Sequence, residues 1–223
     1  MINLDIQANS GTFSTYYQHP RTKLLGLLDE RRPSVALEIG CGVGANLYEL
    51  KKRWPTIHTI GIEIRPEAAA LGKTYGYVDE MHNVDIWNDQ SIEFPQGSID
   101  VMIMSHVLEH FPQPDRVLER VLPWLSRDGR VLVALPNVRH LSVIIELLFK
   151  KDFHYREMGI LDSTHLRFFT RKSMERLLLG HGLLIERCEP DIEGRNSRLL
   201  NMLTLGFGCD LASHAYNFLL SKP

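Results

Sequence analysis

The sequence predicts an α/β fold, a doubly wound, mostly parallel seven-stranded sheet with an antiparallel hairpin at its C-terminal edge. Three observations carry that expectation. Apolar runs of strand length alternate with helical patterns from Val35 to Leu135, as in a parallel sheet covered on both faces. The first run enters a turn with three alternating glycines, Gly40, Gly42 and Gly44, and a helical pattern follows at once. Two last strand-like runs, Leu183–Glu189 and Ala215–Ser221, are separated by a long excursion and are expected to pair antiparallel at the sheet edge.

Each element has its own signal. The opening segment, with Tyr16, Tyr17, His19 and Arg21, leads into the helical pattern T-K-L-L-G-L-L, so residues 1–34 are expected to form a helical or lid segment. Strand one is Val35–Ile39, followed by a helix from Ala45 to Arg53 and a stop at Pro55. His58–Ile62 is strand two, and Pro66 suits the first turn of the helix that carries Glu67 to Lys73. A short third strand ends at N-V-D-I, which places Asp85 at its C-terminal edge. Ser98–Ser105 is nearly all apolar, as a doubly covered parallel strand should be. Pro112 and Pro114 punctuate before the helix D-R-V-L-E-R-V-L-P-W-L, and a turn, S-R-D-G, leads into strand five, R-V-L-V-A-L. Beyond Pro136 and Asn137 come a helix (His140 to Phe149), a polar and aromatic insertion (Lys150 to Arg171) and a second helix (Ser173 to Gly180). Residues 138–182 are therefore expected to form a substrate-side insertion.

Composition narrows the classes of function. At 223 residues, 44% hydrophobic and 23% charged, the chain suits one globular domain over residues 1–223. A net charge of −2 gives no electrostatic case for a nucleic-acid partner. Cys41, Cys188 and Cys209 make neither a disulfide framework nor a CxxC pair. The first ten residues lack a basic region and a long apolar region, and the longest apolar stretch, Leu141–Phe149, is interrupted by Glu146 and too short to span a bilayer. A cytoplasmic protein without an integral membrane segment is expected. The apolar helix before Lys150 and Lys151 is a candidate contact for a membrane surface or a homodimer partner, although packing on the sheet is the commoner fate of such a helix.

The glycine turn suggests the chemistry. Nineteen residues beyond Gly44, strand two ends at Glu63, where a nucleotide-binding α/β unit grips two ribose hydroxyls. An adenosine-containing cofactor follows from this, but its identity does not. Gly40, Gly42 and Ala45 satisfy the dinucleotide pattern G-x-G-x-x-A of an NAD-binding oxidoreductase.

From Glu38 the same loop reads E-x-G-x-G-x-G and resembles motif I of the class I S-adenosylmethionine-dependent methyltransferases. The resemblance continues in order over Val35–Val133: Asp85-Ile86, then E-F-P-Q-G-S-I-D-V-M-I-M-S-H-V-L-E-H-F, then L-S-R-D-G-R-V-L-V. It implies the Rossmann-like methyltransferase fold and S-adenosyl-L-methionine as cofactor. It assigns Glu63, with Ile64 beside it, to the ribose, Asp85 to the adenine amino group and Ile86 to the ring. Backbone groups over Gly40, Cys41, Gly42 and Gly44 hold the methionine part, and Glu38 fixes the loop or meets the cofactor's amino group. Cys41 fills the loop rather than acting as a nucleophile. Ser105 and His106 end strand four, where the family places cofactor or substrate contacts. The later segment L-P-N-V-R-H … L-D-S-T-H-L-R-F-F-T resembles a bacterial group found alone or fused to glycosyltransferases. That likeness implies a hydroxyl acceptor on a small molecule or sugar.

An oxygen acceptor must shed a proton, and histidine titrates near neutrality. His106, His110, His140, Asp162 and His165 are the catalytic candidates, His110 being placed one helical turn past His106. Arg167 is a candidate for an anionic substrate group, and Arg21 for the methionine carboxylate. Segment His106–His110 is also literally H-x-x-E-H, a zinc-peptidase pattern when both histidines share a helix face. Its place after a parallel strand argues against that reading, and no metal is expected. A catalytically weak S-adenosylmethionine-binding protein of metabolism that partners another enzyme is the alternative.

Overall fold

The computed structural model describes residues 19–192, 194–206 and 208–223; Tyr16 and Tyr17 of the expected lid lie outside them. Seven strands form one sheet: β1 (Val35–Ile39), β2 (His58–Glu63), β3 (Glu80–Asn83), β4 (Ile99–Ser105), β5 (Leu125–Pro136), β6 (Leu184–Asp191) and β7 (Ala215–Ser221). Their order is β3-β2-β1-β4-β5-β7-β6. The first five are parallel. β7 is antiparallel to both β5 and β6, so the expected hairpin-like edge is present with its later strand on the inside.

The helices are α1 (Thr22–Leu25), α2 (Ala45–Arg53), α3 (Pro66–Tyr75), α4 (Pro114–Val121), α5 (Leu141–Phe149), α6 (Arg171–Gly180), α7 (Arg195–Leu203) and α8 (Cys209–Ala212). Two apolar layers sandwich the sheet. Met102, Met104, Val131, Val133 and Phe218 belong to one, with Leu118 of α4 and Leu178 of α6. Val101, Ile103, Leu132 and Leu219 belong to the other, with Leu24 of α1 and Leu47 and Leu50 of α2. Successive strand residues point to opposite faces, and both faces are covered, so these strands are apolar throughout instead of alternating.

Four expectations need correction. The S-R-D-G sequence is no separate turn. Strand β5 already begins at Leu125, opposite Ile99, and the register shifts so that Val101 meets Arg130; the extra residues are absorbed as an irregularity within the strand. Strand β3 ends at Asn83, and Asp85 lies beyond its edge, in a turn that its own carboxylate stabilises. The T-K-L-L-G-L-L helix shortens to α1, and hydrogen bonds of the tighter i→i−3 kind carry Leu27 and Leu28 past Gly26. Helix α5 buries only Val143 and Glu146, while Leu147, Leu148 and Phe149 are exposed, so packing on the sheet is not its fate. Among the described residues no helix is long and apolar enough to cross a membrane.

Candidate active site

The parallel strands all deliver their C-terminal ends to one edge, and a cavity of about 560 Å³ opens there. Of the residues expected to hold cofactor, Gly40, Glu63, Ile64, Asp85, Ile86 and His106 line it. Glu38, Cys41, Gly42, Gly44 and Ser105 do not line it. Glu38 is paired in the ladder opposite Gly61 and Ile103, and Ser105 opposite Ala134.

The loop between β1 and α2 is shaped by its glycines. Gly40 and Gly44 have φ of +71° and +84°. A Cβ on Gly40 would stand 2.8 Å from Val107 Cγ2, and one on Gly44 would stand 2.2 Å from Val78 Cγ2. The amides of Gly40 and Cys41 both donate to Ile62 O, at 2.8 and 3.1 Å, and pin the loop against β2. Cys41 itself is buried, with its Sγ against Met81 Sδ at 3.5 Å, and burial pushes its thiol well up. It is loop filler, and the structure gives it no role towards a ligand beyond its backbone.

Two carboxylates flank this loop. Glu63 is buried and accepts the Gly42 amide at 2.7 Å on Oε2 and the Arg65 amide at 2.9 Å on Oε1. Each oxygen keeps a second lone pair that can accept a hydroxyl. Glu38 is 1% exposed and accepts from Asn46 Nδ2 at 2.7 Å on Oε1, but its Oε2 has no hydrogen-bond partner among the described residues. Burial pushes the Glu38 carboxyl up to about 8, the Glu63 charge adds to that rise, and the Asn46 hydrogen bond and the charge of Arg21 oppose it. Arg21 therefore sits close to the methionine end of the expected cofactor site. Its backbone amide donates to Asn46 Oδ1 at 2.7 Å.

At the other end of the cavity, Asp85 accepts the Trp87 amide at 2.9 Å and Asn88 Nδ2 at 2.6 Å, which fixes its carboxylate at the rim. Ile64, Val84, Ile86 and Phe111 supply apolar walls suited to a planar base. The guanidinium of Arg120 donates to the carbonyls of Ile86, Asp89 and Ile92, at 2.6, 2.7 and 2.6 Å, and ties this whole connection to α4.

The catalytic candidates divide. His106, His110, Asp162 and His165 line the cavity; His140 does not. His140 caps α5, accepting the Ser142 amide at 3.3 Å, and meets His214 edge to face, so it has a packing role. His106 has a φ of +52°, the left-handed region that a side-chain-bearing residue rarely occupies, and its amide donates to Ala134 O at 2.9 Å. Because of that kink, Leu108–His110 form a single 3-10 turn. The expected helical turn between His106 and His110 is absent, and with it the shared helix face that a zinc peptidase needs. Arg167 donates both Nε, at 2.8 Å, and Nη2 to Pro112 O, so it anchors a loop rather than an anionic group.

The insertion folds back over the end of β4. The amides of Leu166 and Arg167 both donate to Glu109 O, at 2.8 and 3.0 Å. This brings His165 beside His110, with ring centroids 4.8 Å apart, and puts Glu109 between them and His106. Burial lowers the pKa of His165 and favours its neutral form. Glu109, His214, Trp87, Phe111 and Met158 also line the cavity and were not anticipated. Only Glu109 had a usable signal, its place between two histidines already singled out.

Comparison with known proteins agrees with this geometry. The model of the methyltransferase domain family matches residues 12–187. O-methyltransferase 3 of Dictyostelium discoideum is 29% identical over 150 residues, 65% of this chain and 30% of that protein. Trans-aconitate 2-methyltransferase of Rhodococcus jostii is 24% identical over 125 residues, 56% of this chain and 47% of that protein. The chain thus spans less than half the length of either relative. Among solved structures, the plantazolicin methyltransferase BpumL in complex with SAH superposes with a TM-score of 0.61 at 20% identity, over 95% of this chain and 81% of that one. A putative S-adenosylmethionine-dependent methyltransferase from Listeria monocytogenes gives 0.63 at 14% identity, over 90% and 95%. At such identities the likeness to these structures is one of fold.

Proposed function

The chain belongs to the methyltransferase domain family, and from that premise we propose that it transfers a methyl group from S-adenosylmethionine to a hydroxyl of a small molecule or sugar. The observation that carries the proposal is the pairing of Glu63 with the Gly42 amide at the wall of the cavity. It sets an acceptor for ribose hydroxyls against a loop with no room for a side chain at Gly40 or Gly44. The sugar acceptor rests on the D-S-T-H-L-R-F-F-T segment, and the net charge of −2 favours it over nucleic acid. A cytoplasmic location completes the reading, with the exposed end of α5 as a homodimer contact.

The residues present fit the cofactor. The orphaned Oε2 of Glu38 is a buried acceptor that an ammonium group would satisfy. Gly40 lines the cavity at a position where a Cβ would strike Val107, and Asp85 stands at an apolar slot for an amino-bearing ring. Bound there, S-adenosylmethionine supplies a methyl group on a sulfonium, an electrophile needing no activation by the protein.

The chain's own contribution is then positional. Glu63 holds the ribose through charge-assisted bonds worth roughly 1.5–3 kcal/mol each. The amides of Gly40, Cys41, Gly42 and Gly44, expected to hold the methionine part, are engaged within the protein, so Glu38 is the group that would fix the amino-acid end of the bound cofactor. On the acceptor side of the cavity His106 is the group placed to take the acceptor's proton, through whichever ring nitrogen faces the hydroxyl. The carboxylate of Glu109 stands 3.5 Å from His106 Nδ1. His110, Asp162 and His165 shape the acceptor's binding face.

A thermal-shift panel with S-adenosylmethionine, its demethylated product and NAD tests the cofactor. The first two should raise the melting temperature and NAD should not. Labelled S-adenosylmethionine offered with glycans and small hydroxyl compounds tests the acceptor. Labelling confined to nucleic acid or protein overturns the sugar reading, and tight binding without turnover on any acceptor favours a partner protein.

A further inference from the structure

We propose that Glu109, His110 and His165 form a binding site for one divalent transition-metal ion of the zinc class, opening into the cavity where the acceptor enters. One ligand atom from each of the three lies within 4.8 Å of the others. Donors around a tetrahedral zinc, with bonds of about 2.1 Å, stand roughly 3.4 Å apart, so adjustments of about an ångström close the site.

The second observation is the state of Glu109. It is 0% exposed, and neither carboxylate oxygen has a hydrogen-bond partner among the described residues. Its Oε1 lies 3.8 Å from His165 Nε2, too long for a hydrogen bond and a few tenths of an ångström from the separation of two donors sharing an ion. A buried carboxylate without a hydrogen bond is costly, and a cation on it offsets the cost.

The imidazoles are turned for the purpose. His165 Nδ1 lies 3.0 Å from Ile160 O, and a carbonyl only accepts, so Nδ1 carries the hydrogen and Nε2 keeps its lone pair. His110 Nδ1 lies 3.2 Å from Thr164 O, and the Thr164 hydroxyl donates its hydrogen to Asp162 Oδ1 at 2.6 Å. His110 is therefore also protonated on Nδ1. A backbone partner on the far nitrogen is how proteins orient metal-binding histidines. Two imidazoles and one carboxylate suit zinc, cobalt or nickel and not magnesium, and three protein ligands leave a position for an oxygen. This set differs from the H-x-x-E-H peptidase pattern, because His165 of the insertion takes the place of His106. Binding the metal needs only these side chains; presenting a hydroxyl acceptor on it rests on the methyl-transfer reading above.

The test titrates chelator-stripped protein with Zn²⁺ against a competing chromophoric chelator, and with Co²⁺ while reading visible d–d absorption. One equivalent per chain should bind, with no comparable response to Mg²⁺. Glu109→Gln and His110→Ala should each weaken Zn²⁺ binding on the order of 100-fold. His110 is half-buried, and if the Glu109 variant fails to fold by circular dichroism, His110→Ala decides. In the same samples the thermal shift with S-adenosylmethionine should survive in His110→Ala, so loss of metal and failure of the cofactor reading are separable. Absence of a Co²⁺ spectrum with the native chain, or unchanged Zn²⁺ affinity in a folded His110→Ala protein, overturns the site.

Discussion

The carboxylate of Glu63 accepts the backbone amide of Gly42 at 2.7 Å, so the acid that ends β2 braces the loop that ends β1. One side chain thus serves two purposes, holding the loop in shape and facing the cavity.

Glu63→Ala should therefore lose more than ribose contacts. Calorimetric affinity for S-adenosylmethionine should fall by a factor on the order of 10² to 10³, from two lost charge-assisted bonds and a relaxed loop. Glu63→Gln keeps one carbonyl acceptor and should fall between the variant and the native chain.

Glu38 gives a pH signature. Its carboxyl is raised to about 8 in the fold against an ordinary 4.5, so the folded chain holds a proton that the unfolded chain releases within that window. Its stabilising contribution is fully present below pH about 4.5 and is lost as pH rises through about 8. The slope reaches at most about 1.4 kcal/mol per pH unit. In denaturant melts from pH 5 to 9, Glu38→Gln should flatten that decline. Since an ammonium prefers the ionised carboxylate, affinity for S-adenosylmethionine in the native chain should rise towards pH 8, and this rise should vanish in the variant.

Gly44→Ala should cost on the order of 3 kcal/mol, because φ is +84° and the new Cβ would meet Val78 Cγ2 at 2.2 Å. Gly180→Ala, at the end of α6 with nothing within 4 Å, should be neutral or stabilise by up to about 1 kcal/mol. Chemical denaturation of the two variants side by side checks the contrast.

His140→Ala should lower the melting temperature by roughly 2–4 °C, the loss of an N-cap worth about 1 kcal/mol. Cofactor affinity should not change, since His140 does not line the cavity.

Arg120 does not itself line the cavity, yet its guanidinium gathers the carbonyls of Ile86, a lining residue, Asp89 and Ile92. Arg120→Lys cannot span three carbonyls with the same fork. Affinity for S-adenosylmethionine should drop about tenfold with activity at saturating cofactor retained, a KM effect visible in initial-rate kinetics.

The sequence was most legible where one local rule governs. The apolar runs of β1, β4 and β5 and the positive-φ glycines at Gly40 and Gly44 needed no tertiary knowledge, and the antiparallel edge followed from two spaced runs. It was least legible where distant segments meet. Nothing local says that the insertion would hang on Glu109 O and set His165 beside His110. Nor does spacing reveal that His106 would adopt a left-handed backbone and cut a helical turn to a 3-10 turn. His140 misled because a histidine near a sheet edge and a histidine capping a helix have the same local sequence. Arg167 likewise carries no local mark that Pro112 would occupy it.

The position of β7 has a consequence for biogenesis. β6 is synthesised before β7, yet its partner in the sheet is β7, and β7 also completes the outer edge of β5 from Arg130 to Pro136. Until residues 215–221 leave the ribosome, β5 presents an apolar ladder with open amides and β6 has nothing to pair with. An edge left open through the passage of α7 and α8 should favour contacts with other chains. Slow translation over residues 192–214 should lengthen the nascent chain's dependence on chaperones.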